Sequence, residues 1–197
     1  MLGKAELLNA VAGANRGINS DASDRSAIQA AAATLEERNP TPDPLQASDR
    51  LDGDWRLLYT TSRELLNIDR LPLASLGPIY QCIRLAENRI YNIAEVNGPP
   101  LLSGLVAVAA TLEAVSTRRV NVRFARGVIG LRQALGYESV GQFVQVMQTT
   151  PRFSLLRGID FAINPDRQSG WLEVTYLDDD LRIGRGNQGS LFVLQKV

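Results

Sequence analysis

Residues 180–197 read DLRIGRGNQGSLFVLQKV, and the glycines at 184, 186 and 189 set up a choice between two folds. Their spacing, G-x-G-x-x-G, is that of a pyrophosphate cradle. Such a cradle needs a helix directly after the glycines, because the amides at that helix N-terminus hold the phosphates. It also needs a second strand and an acidic residue roughly 20 positions further on. Here only SLFVLQKV follows, and those residues alternate like a strand. The consistent reading is a hairpin in which LRIGR runs up, GNQG turns and SLFVLQK runs back. The glycines are turn residues, and no nucleotide cofactor is expected.

The same period of two appears upstream. WRLLYTT sends Trp55, Leu57 and Tyr59 to one side. RRVNVRF sets Val120, Val122 and Phe124 against Arg119, Asn121 and Arg123, and WLEVTY repeats the pattern with Leu172, Val174 and Tyr176. IYQCIRL and RIYNIAEV, joined by AEN, read as a second hairpin. Roughly eight short strands predict an antiparallel sheet curled into a barrel or sandwich.

Ahead of the strands the period is helical. Leu7, Val11, Ala14 and Ile18 share one face of a first helix. The cluster SDASD offers N-cap oxygens to a second helix, which carries Ile28, Ala31 and Leu35 and ends at Asn39, before Pro40. NPTPDPLQASD is a stiff linker. The expected organisation is a helical arm and Pro-rich linker over residues 1–48 and a β-barrel over 49–197. Two stretches keep no clean period: GVIGLRQALGYESVGQFVQVMQ, and ELLNIDRLPLASLGPI, an apolar loop suited to a lid at a barrel mouth or to lipid contact.

Composition narrows the function. Apolar residues make up 45% and charged residues 21%, as in ordinary globular chains, and 21 basic residues cancel 21 acidic ones. That balance gives no general pull toward nucleic acid or an anionic bilayer. All the basic residues are arginine except Lys4 and Lys196. Histidine is absent, which removes the usual general base and the commonest metal ligand. The single Cys82 allows no intrachain disulfide and reads as a small core residue. No apolar run is long enough to span a membrane, and the start MLGKAELLNAVAGANRG resembles neither a secretory signal nor a transit peptide.

Few residues offer chemistry. GYESVG places Ser139 out of register for a nucleophile elbow, with no histidine to activate it. The acidic run Asp178, Asp179 and Asp180 suits a solvated turn better than a cation site, so no metal is expected. Asp180 lies close in sequence to Arg182 and Arg185, which predicts an ion pair pinning the last hairpin, or a polar anchor for a ligand head group.

LDGDWRLLYTTSRELL is a G-x-W motif opening a first strand, as in lipocalins. Together with GPIYQCI, NRIYNIAEV, the N-terminal LEERNPTPDP and the terminal WLEVTYLDDDLRIGRGNQGSLFVL, it resembles the plastid lipid-associated protein family, also called fibrillins or plastoglobulins. The resemblance covers nearly the whole chain. It implies a lipocalin-like barrel behind N-terminal helices, in a non-enzymatic protein of photosynthetic organisms. Such a protein binds or stabilises lipids, quinones or carotenoids at thylakoids or lipid globules. Plant members carry a transit peptide, whereas this chain starts almost at the family domain. That implies a cyanobacterial member on the cytoplasmic face of thylakoids or on lipid globules, or an artificially trimmed plant protein, whose place would be the plastid. The motif positions carried over are Gly53 and Trp55, with Asp180 as the C-terminal acidic position suspected in ligand contact.

Elementary geometry agrees with a container. An eight-stranded barrel encloses room for one small ligand, and an apolar interior with one or two polar groups suits a long tail with a polar head. Closure pairs the first and last strands. It brings Arg182 or Arg185 over the Trp55 indole, with Asp180 holding the guanidinium. The candidate ligand-binding residues are therefore Trp55, Tyr59, Asp180, Arg182 and Arg185. The alternatives are a small enzyme with Asp180 as general acid or base, and a scaffold whose barrel is filled by its own side chains.

Overall fold

The computed structural model describes residues 3–62, 75–99, 101–164 and 169–197. Of the apolar stretch ELLNIDRLPLASLGPI, residues 64–74 lie outside the described residues.

The strands are β1 (Gly53–Thr60), β2 (Ser75–Arg84), β3 (Arg89–Asn97), β4 (Gly104–Ala114), β5 (Arg119–Leu131), β6 (Ile159–Ala162), β7 (Ser169–Leu177), β8 (Leu181–Gly186) and β9 (Leu191–Lys196). Each pairs antiparallel with its neighbours, and eight of them close a ring in the order β1-β2-β3-β4-β5-β7-β8-β9, with β9 returning to β1. The terminal hairpin has the expected form: β8 and β9 pair on either side of the turn Asn187–Gly189, and β9 meets β1 through Trp55↔Lys196 and Leu57↔Leu194. The long β5 serves two partners. Its first half, Arg119–Arg123, pairs with β7, and its second half, Arg126–Ile129, pairs with β6.

Alternation along the strands is broken by bulges, and this corrects two side-chain assignments. Register shifts lie between Leu57 and Tyr59 in β1 and between Val174 and Tyr176 in β7. An extra residue in a strand exchanges the two faces beyond it. Trp55, Leu57, Leu172 and Val174 therefore point into the barrel, while Tyr59 and Tyr176 point out and are buried beneath the N-terminal helices.

Among the described residues the apolar side chains gather in three cores. The inner one joins Trp55, Ile83, Ile90, Ala110, Val122 and Leu194. The second lies outside β1, β7, β8 and β9, under α1 (Lys4–Ala12) and α2 (Ala22–Glu36), where Leu7, Val11, Ile28 and Leu35 meet Ile183 and Val193. The third lies outside β2–β5, under α4 (Arg132–Leu135) and α5 (Val140–Thr149), where Phe143, Val144 and Met147 meet Tyr91, Ile93 and Val128. A one-turn helix, α3 (Ser48–Leu51), precedes β1. The stretch 127–148 shows no single period because it holds the end of β5 and then two helices.

Helix ends follow local chemistry. Asp21 and Asp24 form a reciprocal capping box at α2, and Ser139 caps α5 through the Gln142 amide. Both N-terminal helices are shorter than their periodicity suggests. α1 stops at Ala12, so Ile18 lies beyond it and packs instead against the inner core. The chain between them crosses the end of β1, where Thr60 N–H donates to the Arg16 carbonyl. Gly17 sits there at φ 108°, and a Cβ would fall 2.2 Å from the Thr60 carbonyl oxygen, so only glycine fits. α2 ends at Glu36, three residues before Asn39. The Asn39 amide leaves the helix to bond Thr41 and to accept from Leu177 N–H, tying the linker to β7.

Candidate functional site

The inner face of β2 reads Ile79, Gln81, Ile83, and that of β3 reads Ile90, Asn92, Ala94, so each strand puts one amide among apolar neighbours. Gln81 Nε2 donates to Asn92 Oδ1 at 3.2 Å. Across the barrel β8 contributes Arg182. Its guanidinium lies 5.0 Å from the centre of the Trp55 ring and donates through one Nη to Gln81 Oε1. The indole is itself anchored: Trp55 Nε1 donates to the Leu51 carbonyl at 3.0 Å, which fixes the ring against α3.

Arg182 is 1% exposed, and its Nε and second Nη have no hydrogen-bond partner among the described residues. Among the described residues no carboxylate bonds it. Burial pulls its pKa down from 12.5 to about 9. A buried donor left unsatisfied costs about 1–3 kcal/mol, and more when charged. Arginine keeps its proton in proteins, so the site holds a desolvated cation with two unused N–H directions. An oxygen acceptor on a ligand would satisfy it. The apolar wall around it suits a hydrocarbon tail. Val106, Phe124 and Phe192 pack against the inner core yet remain partly exposed.

The remaining candidates are placed elsewhere. Tyr59 lies on the outer wall, where burial raises its pKa and the nearby Ser20 hydroxyl opposes that rise. Asp180 lies in the turn between β7 and β8 with its side chain 54% exposed, and its ion-pair partner is Lys4. The expected bond from Asp180 to an arginine over Trp55 does not form, because the turn bends Asp180 away before β8 begins and Gln81 takes that place. Arg185, three residues from Arg182, faces outward and pairs with both carboxylate oxygens of Glu36 at 2.9 and 2.8 Å. The structure thus unites Trp55 and Arg182 and separates Tyr59, Asp180 and Arg185 from them. Gln81 and Asn92 were missed from sequence, although each interrupts an apolar alternation and was legible in that way.

Asp178, beside Asp180, is a structural group. Burial opposes its charge, but Lys4, the Tyr176 hydroxyl and the amides of Asp180 and Leu181 outweigh it and hold its pKa at about 2. The Cys82 thiol is fully buried and its pKa is raised, first by burial and then by Asp54, which disfavours the reactive thiolate. Among the described residues no cluster of three or more acidic or cysteine side chains is arranged to hold a metal, and no helix is long and apolar enough to cross a membrane. An open groove of about 380 Å³ lies outside the barrel between α1 and β1, lined by Leu8, Val11, Arg16, Arg56 and Leu58 among others.

Comparison with known proteins follows the same lines. The PAP_fibrillin family model matches residues 1–195. A "Probable plastid-lipid-associated protein 2, chloroplastic" from Arabidopsis thaliana is 30% identical, over 98% of this chain and 70% of its own. A "Chromoplast-specific carotenoid-associated protein, chromoplastic" from Cucumis sativus is 32% identical over 98% of this chain and 67% of its own. "Plastoglobulin-1, chloroplastic" from Pisum sativum is 33% identical over 98% of this chain and 60% of its own. No solved structure matches. With the family model matched across nearly its whole length, this chain belongs to the PAP_fibrillin family.

Proposed function

We propose that the barrel is a non-enzymatic container for one small apolar molecule with an oxygen-bearing end, such as a lipid, quinone or carotenoid derivative. Arg182 takes the oxygen and the apolar wall takes the tail. The protein delivers or stores that molecule while resting on a lipid surface, a thylakoid or a lipid globule, in a cyanobacterium or plastid. The observation that carries this reading is the buried guanidinium with unused donors inside a largely apolar barrel. The names of the lipid- and carotenoid-associated relatives support it. Asp180, solvent-exposed outside the barrel, lends no support to an enzyme that uses it as acid or base.

The test is native mass spectrometry of protein purified from its own host. The expected result is an added mass that organic extraction identifies as an oxygen-bearing apolar molecule, and that is absent from Arg182→Met prepared alongside. A protein that emerges bare, and that takes up no such molecule from a host lipid extract, would contradict the proposal.

A further inference from the structure

The turn after α5 reads RFSLLRGI, and its two leucines are almost wholly in solvent: Leu155 is 86% and Leu156 96% exposed. Exposed apolar side chains scattered singly are ordinary, but a contiguous group of them marks an interaction surface. The turn is held firmly. Arg157 bonds the carbonyls of Ala134 and Leu135, and Phe153 N–H donates to Asp160 at 2.8 Å. Behind the leucines the backbone packs on β5 so closely that a Cβ on Gly130 would lie 2.9 Å from the Arg157 carbonyl oxygen.

Around this turn the same end of the barrel is apolar. Ile159 opens β6 and pairs with Ile129 of β5, and these are 60% and 42% exposed. Leu131 ends β5 at 42% exposure, and Leu102, 56% exposed, precedes the Ser103 carbonyl that accepts from Arg132 N–H. Three strand or loop ends thus bring apolar residues to one rim.

We infer that this rim, led by Leu155 and Leu156, is the surface that inserts into a lipid layer; the inference rests on the lipid-surface reading above and names the face that makes the contact. Three features favour lipid over a protein partner. The leucines sit on a convex tip, which a fluid apolar phase covers without a matching pocket. Arg152 and Arg157 lie at or beside the rim, and the nearby acids Glu95 and Asp160 are already paired with Arg132 and Arg126. That leaves guanidinium groups in excess of carboxylates beside the apolar tip, where lipid phosphates would meet them. The rim is also continuous with the inner face: by strand alternation Ile129 lies on the same side of the sheet as Val106, its partner in β4, which packs against the inner core. Insertion here sets the barrel interior toward the phase in which an apolar ligand dissolves.

The experiment is flotation of the full chain with phosphatidylcholine vesicles and with phosphatidylcholine-coated triacylglycerol droplets. Wild type is compared with the Leu155→Ser, Leu156→Ser double variant. Exposed positions tolerate serine, and thermal unfolding checks that the variant is folded. The expected result is a drop in partitioning of at least about thirtyfold, the loss of two inserted leucines, with the ligand content found by mass spectrometry unchanged. Equal flotation of wild type and variant overturns the rim assignment and leaves the lipid-surface reading standing. Failure of wild type to float with either preparation overturns both. Unchanged flotation with a shift from dimer to monomer in gel filtration overturns it in favour of a self-association surface.

Discussion

Two of the arginines drawn from solvent, Arg126 and Arg182, are treated in opposite ways. Arg126, on the outer face of β5, forms a fork with both oxygens of Asp160 at 3.0 and 2.6 Å and donates to the carbonyls of Met147 and Thr150. Asp160 in turn accepts from Phe153 N–H, and these bonds hold its pKa below the usual carboxylate range against the push of burial. Arg182, inside the barrel, has one amide oxygen and the face of an indole. The first charge is satisfied and joins β5, β6 and the end of α5. The second is left short of partners, at a cost to the fold, in the place where a ligand would sit. A buried charge that is fully paired is architecture, and one that is not is a candidate site.

Mutations break this contrast most directly. Asp160→Ala leaves Arg126 with an uncompensated charge, and the expected loss is about 3–5 kcal/mol in urea unfolding. Trp55→Ala removes a fully buried indole and its bond to Leu51, with a similar expected loss of roughly 3–5 kcal/mol. Losses near zero at either position would mean that the packing around it is misjudged. Arg182→Met should behave differently. It removes a strained charge and keeps an unbranched apolar stem, so unfolding free energy should stay within about 1 kcal/mol of wild type or rise.

Acid offers a smaller test on the outer wall. Asp178 has a folded pKa of about 2 against an ordinary 3.8. A carboxylate whose folded pKa is depressed stabilises the fold above its ordinary pKa and loses that contribution as pH falls toward the folded value. Stability should therefore decline between about pH 4 and 2 as Lys4 and α1 release the β7–β8 turn, and Asp178→Asn should flatten that limb. An identical acid limb in the variant, followed by tryptophan fluorescence and circular dichroism, would assign the decline to other carboxylates. The smallest effect should come from Arg119. It lies 4.3 Å from the Trp171 ring centre and pairs with Glu173, but its side chain is 44% exposed. Arg119→Ala should cost no more than about 1 kcal/mol, because water screens such pairs.

How far the sequence was readable differs between these regions for physical reasons. The β8–β9 hairpin, the closure against β1 and the Arg182–Trp55 stack follow from alternation and from glycines with no helix after them. The outward turn of Tyr59 and Tyr176 was hidden, because a bulge is a register event between two strands and leaves no mark on either one alone. The Arg126–Asp160 fork joins residues 34 positions apart and was invisible for the same reason. Asp180 misled because nearness to Arg182 in sequence carries no geometry across a turn. Gln81 and Asn92 were the legible residues passed over, as polar breaks in an apolar face.

On the proposed function, Arg182 is held in the barrel for a ligand and contributes little to the fold. The most direct measurement takes both quantities from one variant. Arg182→Met is titrated with a fluorescent fatty acid and then unfolded in urea, beside wild type. Trp171 is changed to Phe in both, so that Trp55 alone reports from inside the barrel. The account predicts an affinity loss of at least about tenfold, the value of a charge-assisted hydrogen bond of roughly 1.5–3 kcal/mol, with unfolding free energy unchanged or raised. Unchanged affinity together with a loss of several kcal/mol in stability would contradict it and make Arg182 a structural residue.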